Sequence, residues 1–317
     1  MVNTFRNYPF DLTRSICVIW IVGFWHLINY LPQECRLEGN SLVICKEITY
    51  GVLACFTFLS GYFLKKYDFN NIDDILIFYK KRLLRFYPLF VVASFCLLVC
   101  GGTFKQVIFA ILGLSLFAPP AIPTLWYFSM LLLFYLFTPM LKVKDTTKIR
   151  IVFLLLFIAV IVLGYFFADQ RLIMYFPFYV LGLNLSNRIV ERIMNLPVFI
   201  ITILLFVGLC IVGSENLIIQ IVQAMAGVST ILSFSKLVYK DKIQRPVSFI
   251  AEASMCAYLF HRPIYAVFTV VLGKSKPFHY MPIYVAIVAV VILFITSYFV
   301  QKYYNRIINQ ITIRNGK

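Results

Sequence analysis

The most evident shortage in this chain is of charged side chains. Only 13% of its 317 residues are Asp, Glu, Lys or Arg, whereas 62% are hydrophobic. The mean hydropathy of +0.88 is too high for a water-soluble domain of this length, because such a domain could not bury so much apolar surface. The composition therefore excludes a soluble protein and predicts a multi-pass membrane protein.

Acidic side chains are scarcer than basic ones: 13 Asp and Glu stand against 29 Lys and Arg, for a net charge of +16. A basic excess of this size can indicate nucleic-acid binding. Here, however, most Lys and Arg lie in alternate loops, which the positive-inside rule assigns to the cytoplasm together with both termini. We therefore interpret the charge as topology and contact with anionic membrane lipid, and expect no nucleic-acid partner.

The sequence also lacks the cysteine patterns of a metal centre. Its eight cysteines form no Cys-x-x-Cys pair and no His/Cys cluster, so no metal site is predicted. Cys35 and Cys45 flank the first outer loop, and the sequence leaves open whether they form a disulfide.

What the chain has instead is a series of apolar runs of membrane-spanning length. They predict an all-α bundle of about ten transmembrane helices, at residues 11–31, 43–64, 83–101, 122–141, 151–167, 172–186, 197–213, 217–235, 248–272 and 281–301. The apolar segment 104–118 is too short to span and is predicted to be an interfacial or re-entrant piece. No linker or internal repeat divides the chain, so residues 1–317 are predicted to form one integral membrane domain.

The first predicted span carries ionisable groups at membrane depth, Arg14 near its start and His26 near its end. Such groups cost at least about 2.5–3.5 kcal/mol each in hydrocarbon and are functional hypotheses by default. Their separation corresponds to roughly 18 Å of helix, which predicts chemistry at both faces of the membrane. The structural alternative is an Arg14 that snorkels and pairs with Asp11, with His26 as a hydrogen-bonded packing residue.

Two further sets of polar residues extend this hypothesis. Glu47 begins the second predicted span at the level where His26 ends the first, which predicts a Glu47–His26 pair that orients the imidazole. Arg82 and Arg85 share a helical face in the cytoplasmic segment FYKKRLLRFYP and suit a phosphate clamp. Snorkelling arginines that mark a cytoplasmic helix end are the alternative for this second set.

Several segments, taken in chain order, resemble the acyltransferase-3 family of integral membrane acyltransferases. They are FDLTR followed by His26, FLSGYFL, FYKKRLLRFYP, TLWYFSMLLLFYLF, FPFYVLGLNLS and EASMCAYLFHRPIY. The resemblance implies a ten-helix bundle that takes an acyl group, usually acetyl, from acyl-CoA on the cytoplasmic side. The group is passed to a hydroxyl of an extracytoplasmic or lipid-linked glycan, with acyl-CoA as a substrate and no permanently bound cofactor.

By position, Arg14 and His26 correspond to the family's Arg…His pair, and Arg82 and Arg85 to its Arg-x-x-Arg motif. The family has ten residues between the first two, whereas this chain has eleven. At about 100° per residue, the additional residue turns His26 about 120° away from Arg14. This departure predicts that either the helix bulges or the register is absorbed elsewhere, with a position near Gly23 as a candidate.

Three later residues complete the predicted site. Trp126 is placed to stack on a sugar, with an interfacial aromatic belt as the alternative. His261 and Arg262 lie past the middle of the ninth predicted span and are expected to support the site or bind the acceptor, with structural hydrogen bonding as the alternative. No Cys or Ser lies in an obvious nucleophile context, which favours direct transfer over an acyl-enzyme.

These observations predict an acyltransferase of the cell (inner or cytoplasmic) membrane that acylates a surface glycan or its lipid-linked precursor. Its catalytic residues would be His26, Arg14 and Glu47, its donor-binding residues Arg82 and Arg85, and its acceptor-binding residues Trp126, His261 and Arg262. A glycan export protein of the same family is the leading rival. A scaffold for a glycan synthase is a third class, which would not need a histidine opposite a basic donor site.

Overall fold

The computed structural model describes residues 7–117, 123–142, 169–272 and 281–314, together with eight positions between 151 and 166. Within these residues the chain is helical and contains no β-strand. The α-helices are α1 (Tyr8–Val18), α2 (Gly39–Tyr62), α3 (Ile72–Cys96), α4 (Phe104–Ile111), α5 (Trp126–Leu141), α6 (Arg171–Asn184), α7 (Asn187–Ile193), α8 (Leu196–Val212), α9 (Leu217–Val238), α10 (Gln244–Leu272) and α11 (Ile283–Arg314). The all-α prediction is confirmed for this part of the chain.

Short polar side chains explain where many of these helices begin. Asn71, Asn195 and Asn216 each accept a hydrogen bond from a backbone N–H of the first helical turn, as does Ser186. Thr103 forms a capping box with Gln106 at the start of α4. These contacts satisfy backbone donors that have no partner within the helix, so the sequence defines the helix starts locally.

Five helical segments are long and apolar enough to cross a membrane: Tyr8–Tyr30, Gly39–Tyr62, Ile72–Cys100, Leu217–Val238 and Ile283–Ile311. A sixth is obtained if α7 and α8, which are bent by 70°, count as one span. The chain is thus a multi-pass membrane protein with five or six such segments among the described residues. The prediction of about ten spans with cytoplasmic termini is not confirmed and stays a prediction.

The remaining predicted spans show why the two counts differ. Helices α5 and α6 occupy two of them but have only 16 and 14 residues. Helix α10 has 29 residues but carries Arg245, Glu252 and Arg262 among its apolar side chains. The predicted span 151–167 lies largely outside the described residues. Segment 104–118 contains the eight-residue α4, too short to span a bilayer as predicted.

Contacts divide the chain into two compact units. The first consists of Met1–Leu59 and Leu185–Lys302, and the second of Ser60–Asn184 and Tyr303–Lys317. In the first unit, α1 packs against α10 and α9. Ser15 ties α1 to α10 by donating from Oγ to the Val247 carbonyl at 3.1 Å. The prediction of a single domain over residues 1–317 stays a prediction.

Glycine allows close helix packing at one place in each unit. In the first unit, a Cβ on Gly227 of α9 would lie 3.1 Å from the Cα of Gly51 of α2. In the second unit, a Cβ on Gly61 would lie 2.3 Å from the Tyr179 carbonyl oxygen of α6. Small residues at such crossings let membrane helices approach backbone to backbone.

Candidate active site

The first helix contains the bulge that its sequence spacing predicts. Helix α1 continues as a π-helix over Ile19–Trp25, which includes Gly23. The His26 amide donates to the Ile21 carbonyl at 2.9 Å, five residues back instead of four. A π turn of this kind accommodates one extra residue without turning the following helix. The rotation from Arg14 to His26 therefore falls from about 120° to about 20°, which restores the register of an uninterrupted helix with ten intervening residues.

The bulge releases a backbone carbonyl that α10 uses. In an α-helix the His26 amide would donate to the Val22 carbonyl, which here is fully buried. Instead the Tyr265 hydroxyl donates to that carbonyl at 3.0 Å. A buried carbonyl without a partner would be unfavourable, so this contact replaces a hydrogen bond that the helix gives up.

Helix α10 also supplies the partner of the His26 ring. Nδ1 of His26 lies 2.8 Å from Nε2 of His261, and the two ring planes are parallel. Nδ1 of His261 in turn lies 2.8 Å from the Tyr258 carbonyl oxygen. His261 is 0% exposed, whereas His26 is half-buried. The Tyr258 and Tyr265 rings meet the His261 ring edge to face, at centroid distances of 6.0 and 5.8 Å.

These contacts fix the positions of the ring protons. A carbonyl oxygen only accepts hydrogen bonds, so Nδ1 of His261 carries the proton and Nε2 of the neutral ring is an acceptor. Nδ1 of His26 must therefore donate to His261. In a neutral His26 ring this leaves the Nε2 lone pair available to accept a proton. The assignment follows from donor and acceptor counting along the chain Tyr258–His261–His26.

In the second unit, Arg82 is held by aromatic residues. Its Nη2 donates to the Tyr67 hydroxyl at 2.6 Å, and its guanidinium carbon lies 5.0 Å from the centre of the Tyr67 ring. The buried Nε of Arg82 has no hydrogen-bond partner among the described residues. Arg85, one turn further along α3, is exposed. The structure thus presents an oriented guanidinium that has a donor without a partner among the described residues, with a second arginine one turn further along the helix.

The Tyr67 phenol responds to this positive charge. Burial alone would raise the pKa of Tyr67, but the Arg82 guanidinium, with smaller contributions from Lys66 and Lys81, holds this pKa below its ordinary value. The lowered pKa indicates a positive potential at the loop that precedes α3. Such a potential favours the binding of anions.

The family model described as the acyltransferase domain matches residues 7–301 of the chain. This chain belongs to the acyltransferase-3 family. No curated protein and no solved structure matches the chain. The match confirms the resemblance that the sequence motifs carry, and it makes the protein an acyltransferase.

In this acyltransferase the predicted Glu47–His26 pair is wrong, because the ring partner of His26 is His261. Glu47 is 3% exposed and lies beside Gln223 of α9. The helix packing explains this placement. Glu47 lies one turn before Gly51 and Gln223 one turn before Gly227, so both side chains follow the face on which these two glycines meet.

Replacing Glu47 by Gln is expected to keep the rate of acyl transfer within the same order of magnitude. Glu47 Oε2 and Gln223 Oε1 are buried without hydrogen-bond partners among the described residues, and a glutamine at position 47 supplies a donor of the same shape. The transfer rate and the thermal unfolding temperature test this, with the exposed Glu38→Gln as control. A loss of about 10²-fold or more, as for a group that takes part in proton transfer, would contradict it.

The other predicted residues of the acyltransferase are placed as follows. Arg14 Nη1 lies 3.9 Å from the Asp11 carboxylate, as the structural alternative predicted, and a catalytic role for Arg14 stays a prediction. Arg262 follows His261 in α10 and is half-buried. Cys35 and Cys45 are free thiols, which answers the question that the sequence left open.

Trp126 does not offer the open ring face that sugar stacking needs. It is 8% exposed, with the Arg171 guanidinium 4.1 Å from its ring centre and the Tyr175 ring stacked at 6.0 Å. Arg171 is itself fixed by Asp169 through an ion pair. The predicted stacking is therefore not supported, because a cation and a second ring occupy the space around the indole.

Proposed function

We propose that this acyltransferase moves an acyl group, acetyl in the simplest case, from acyl-CoA to a hydroxyl of a cell-surface glycan or its lipid-linked precursor. The enzyme would act in the cell membrane, with both termini in the cytoplasm. The observation that carries the proposal is the hydrogen-bonded chain from the Tyr258 carbonyl through His261 to His26. It supports an imidazole with a free Nε2 lone pair, which is what a general base for a sugar hydroxyl requires.

The reaction proceeds in one transfer step. The sugar hydroxyl gives its proton to Nε2 of His26 while its oxygen bonds to the thioester carbonyl carbon. The carbon–sulfur bond breaks, the CoA thiolate gains a proton and the imidazolium loses one, so the enzyme returns to its starting state. His261 stays neutral and keeps the imidazolium oriented through its Nε2 lone pair.

The donor site is proposed at Arg82 and Arg85. Acyl-CoA carries several phosphates, and the guanidinium fork binds phosphate oxygens through paired hydrogen bonds. Arg82 is oriented by Tyr67 and retains a buried Nε without a partner among the described residues. In this proposal acyl-CoA binds as a substrate and leaves as free CoA after each turnover, so no permanent cofactor is needed.

Replacing Arg82 by Gln is expected to raise the KM for acetyl-CoA by about tenfold or more, because a charge-assisted contact to phosphate contributes about 1.5–3 kcal/mol. The kcat should change less, since the base lies elsewhere in the sequence. Steady-state kinetics measures both constants. The control is Lys80→Gln, which removes a cation from the same helix at an exposed position. Equal effects of the two substitutions would show that general positive charge, and not Arg82, attracts the donor.

The proposed acceptor is a hydroxyl of a cell-surface glycan or of its lipid-linked precursor. Arg262, beside His261 in α10, remains our candidate for contact with the glycan, whereas Trp126 is withdrawn from that role because it is buried. The structure also favours an enzyme over a scaffold, since a scaffold has no use for a histidine with a defined free lone pair. Export of an unmodified glycan would not use this lone pair either.

The test measures transfer of the radiolabelled acetyl group from acetyl-CoA by the purified protein. The protein is placed in liposomes that contain membrane glycolipid from the cells that make it. We expect label to appear in the glycolipid and free CoA to be released in equal amount. Label that appears only as free acetate would show hydrolysis without this acceptor. The absence of both products, with intact folded protein, would contradict the proposal.

A further inference from the structure

Tyr265 touches both the bulge in the first helix and the histidine that contacts His26. We propose that Tyr265 is a positioning residue that holds the π-helical turn of Ile19–Trp25 and thereby keeps Nδ1 of His26 against His261. The proposal rests on the proposed role of His26 as the base. In this proposal the Tyr265 hydroxyl determines which of two registers the first helix adopts.

The two registers differ in the group that donates a hydrogen bond to the Val22 carbonyl. In the observed register this carbonyl accepts from the Tyr265 hydroxyl, and the His26 amide donates to Ile21 instead. In a regular α-helix the His26 amide would donate to Val22, which turns the His26 side chain by about 100° relative to the bulged helix. That rotation would remove Nδ1 of His26 from His261. The Tyr265 hydroxyl therefore supplies the Val22 carbonyl with the donor that the bulged register takes away, and so stabilises that register.

Tyr265 is itself fixed in place. Its side chain is fully buried, and its ring meets the Tyr30 ring edge to face at 5.4 Å and the His261 ring at 5.8 Å. It lies one turn after His261 on α10, so one helical face presents both groups to the first helix. The same face thus orients the His26 ring directly and through the backbone that carries it.

This geometry predicts a specific effect of deleting Gly23. Without the extra residue, the first helix can be α-helical throughout and still present His26 in its present direction. The Val22 carbonyl would then accept from the Leu27 amide, four residues along the shortened chain. The Tyr265 hydroxyl would no longer select the register, so its removal should have little effect in this background.

The test combines Tyr265→Phe with the Gly23 deletion and reads the state of the His26 ring. The chain has three histidines, so ¹⁵N-histidine labelling in a His279→Asn background leaves the rings of His26 and His261. In the full-length protein, both rings are expected as Nδ1–H tautomers, and Tyr265→Phe should shift His26 toward the Nε2–H form that a free ring prefers. Acyl transfer should fall by roughly 10- to 100-fold, because a shift of order 1 Å in a reacting group can cost about 10²-fold.

In the Gly23-deleted protein, Tyr265→Phe is expected to leave both the tautomer and the transfer rate unchanged. Tyr284→Phe, at a residue that is 72% exposed, controls for the loss of a tyrosine hydroxyl. Two results would overturn the proposal. One is an unchanged His26 signal when Tyr265→Phe is made in the protein that retains Gly23. The other is an equal loss of acyl-transfer rate on Tyr265→Phe with and without Gly23. If the protein with the deletion does not fold, the His26 tautomer in the Tyr265→Phe variant that retains Gly23 decides alone. This tautomer also tests the proposal if no acyl transfer is found.

Discussion

Replacing His26 by Gln is expected to lower the rate of acyl transfer by about 10²- to 10⁴-fold, the contribution that general acid–base catalysis usually makes. Glutamine is similar in size and can still hydrogen-bond to His261, but its side chain has no basic nitrogen to take the sugar proton. Binding of acetyl-CoA should be unchanged, because the proposed donor contacts come from Arg82 and Arg85. Transfer kinetics and calorimetric titration with CoA together measure this separation.

His279→Gln is the matched control, since it removes a histidine that no part of the proposed mechanism uses. A second comparison asks whether His261 acts through His26. Removing His261 should cost less than removing His26, and the double substitution should cost no more than His26→Gln alone, as for residues that act as a unit. Additive losses would assign His261 a separate role, and an unchanged rate in His26→Gln would exclude His26 as the base.

Replacing Gly61 by Ala is expected to have the largest effect on folding. Its Cβ would lie 2.3 Å from the Tyr179 carbonyl oxygen and 3.1 Å from the Leu183 amide nitrogen, both of them backbone atoms of α6. A flexible side chain could move aside, but a helix backbone can do so only by separating the two helices. We expect a destabilisation of at least about 1–3 kcal/mol, the usual cost of overpacking, and a loss of folded protein.

Gly208→Ala provides the control for this substitution. Gly208 is also within a helix, but a Cβ there meets nothing within 4 Å. Alanine at this position should be neutral or stabilising by up to about 1 kcal/mol, because alanine favours the helix over glycine. For each variant we would measure the temperature at which half of the detergent-solubilised protein is no longer monodisperse. Similar temperatures for the two variants would contradict the close contact at Gly61.

Much of the first helix was predictable from the sequence. The family resemblance, with ten residues between the corresponding Arg and His, marks one residue between Arg14 and His26 as extra. The period of the α-helix converts it into a turn of about 120°, and a bulge is one of few ways to absorb it. A position near Gly23 was a candidate for absorbing it, and the π-helical turn includes this residue. What the sequence did not indicate was the partner of the released Val22 carbonyl, because a tyrosine hydroxyl on a distant helix has no local signature.

The partner of His26 was predicted wrongly for a related reason. Glu47 is a carboxylate at a suitable depth, and by chemistry alone it is a better partner for an imidazole than a second histidine. The actual partner depends on which helices pack together, and the close approach of Gly51 to Gly227 turns Glu47 toward α9. The sequence did contain a signal for this packing, since each of the two glycines follows a polar residue by four positions. That spacing is a weak indication unless the helix packing is known.

Burial decided the case of Trp126 as well. The sequence places an aromatic ring near a predicted helix end, where a stacking platform and a packed side chain look alike. Arg171 lies 45 positions further along the chain, so its contact with the Trp126 ring could not be inferred from spacing. Helix positions and helix caps are local properties, whereas the environment of each site residue depends on contacts between distant segments.

The most direct test of the central claim is the acyl content of the surface glycan in cells whose only copy of this protein carries His26→Gln. If the protein acylates the glycan with His26 as base, the variant cells should display the glycan in normal amount but without the acyl group, and wild-type cells should display it acylated. If the glycan fails to reach the surface, or reaches it with its acyl group intact, the proposed reaction is contradicted.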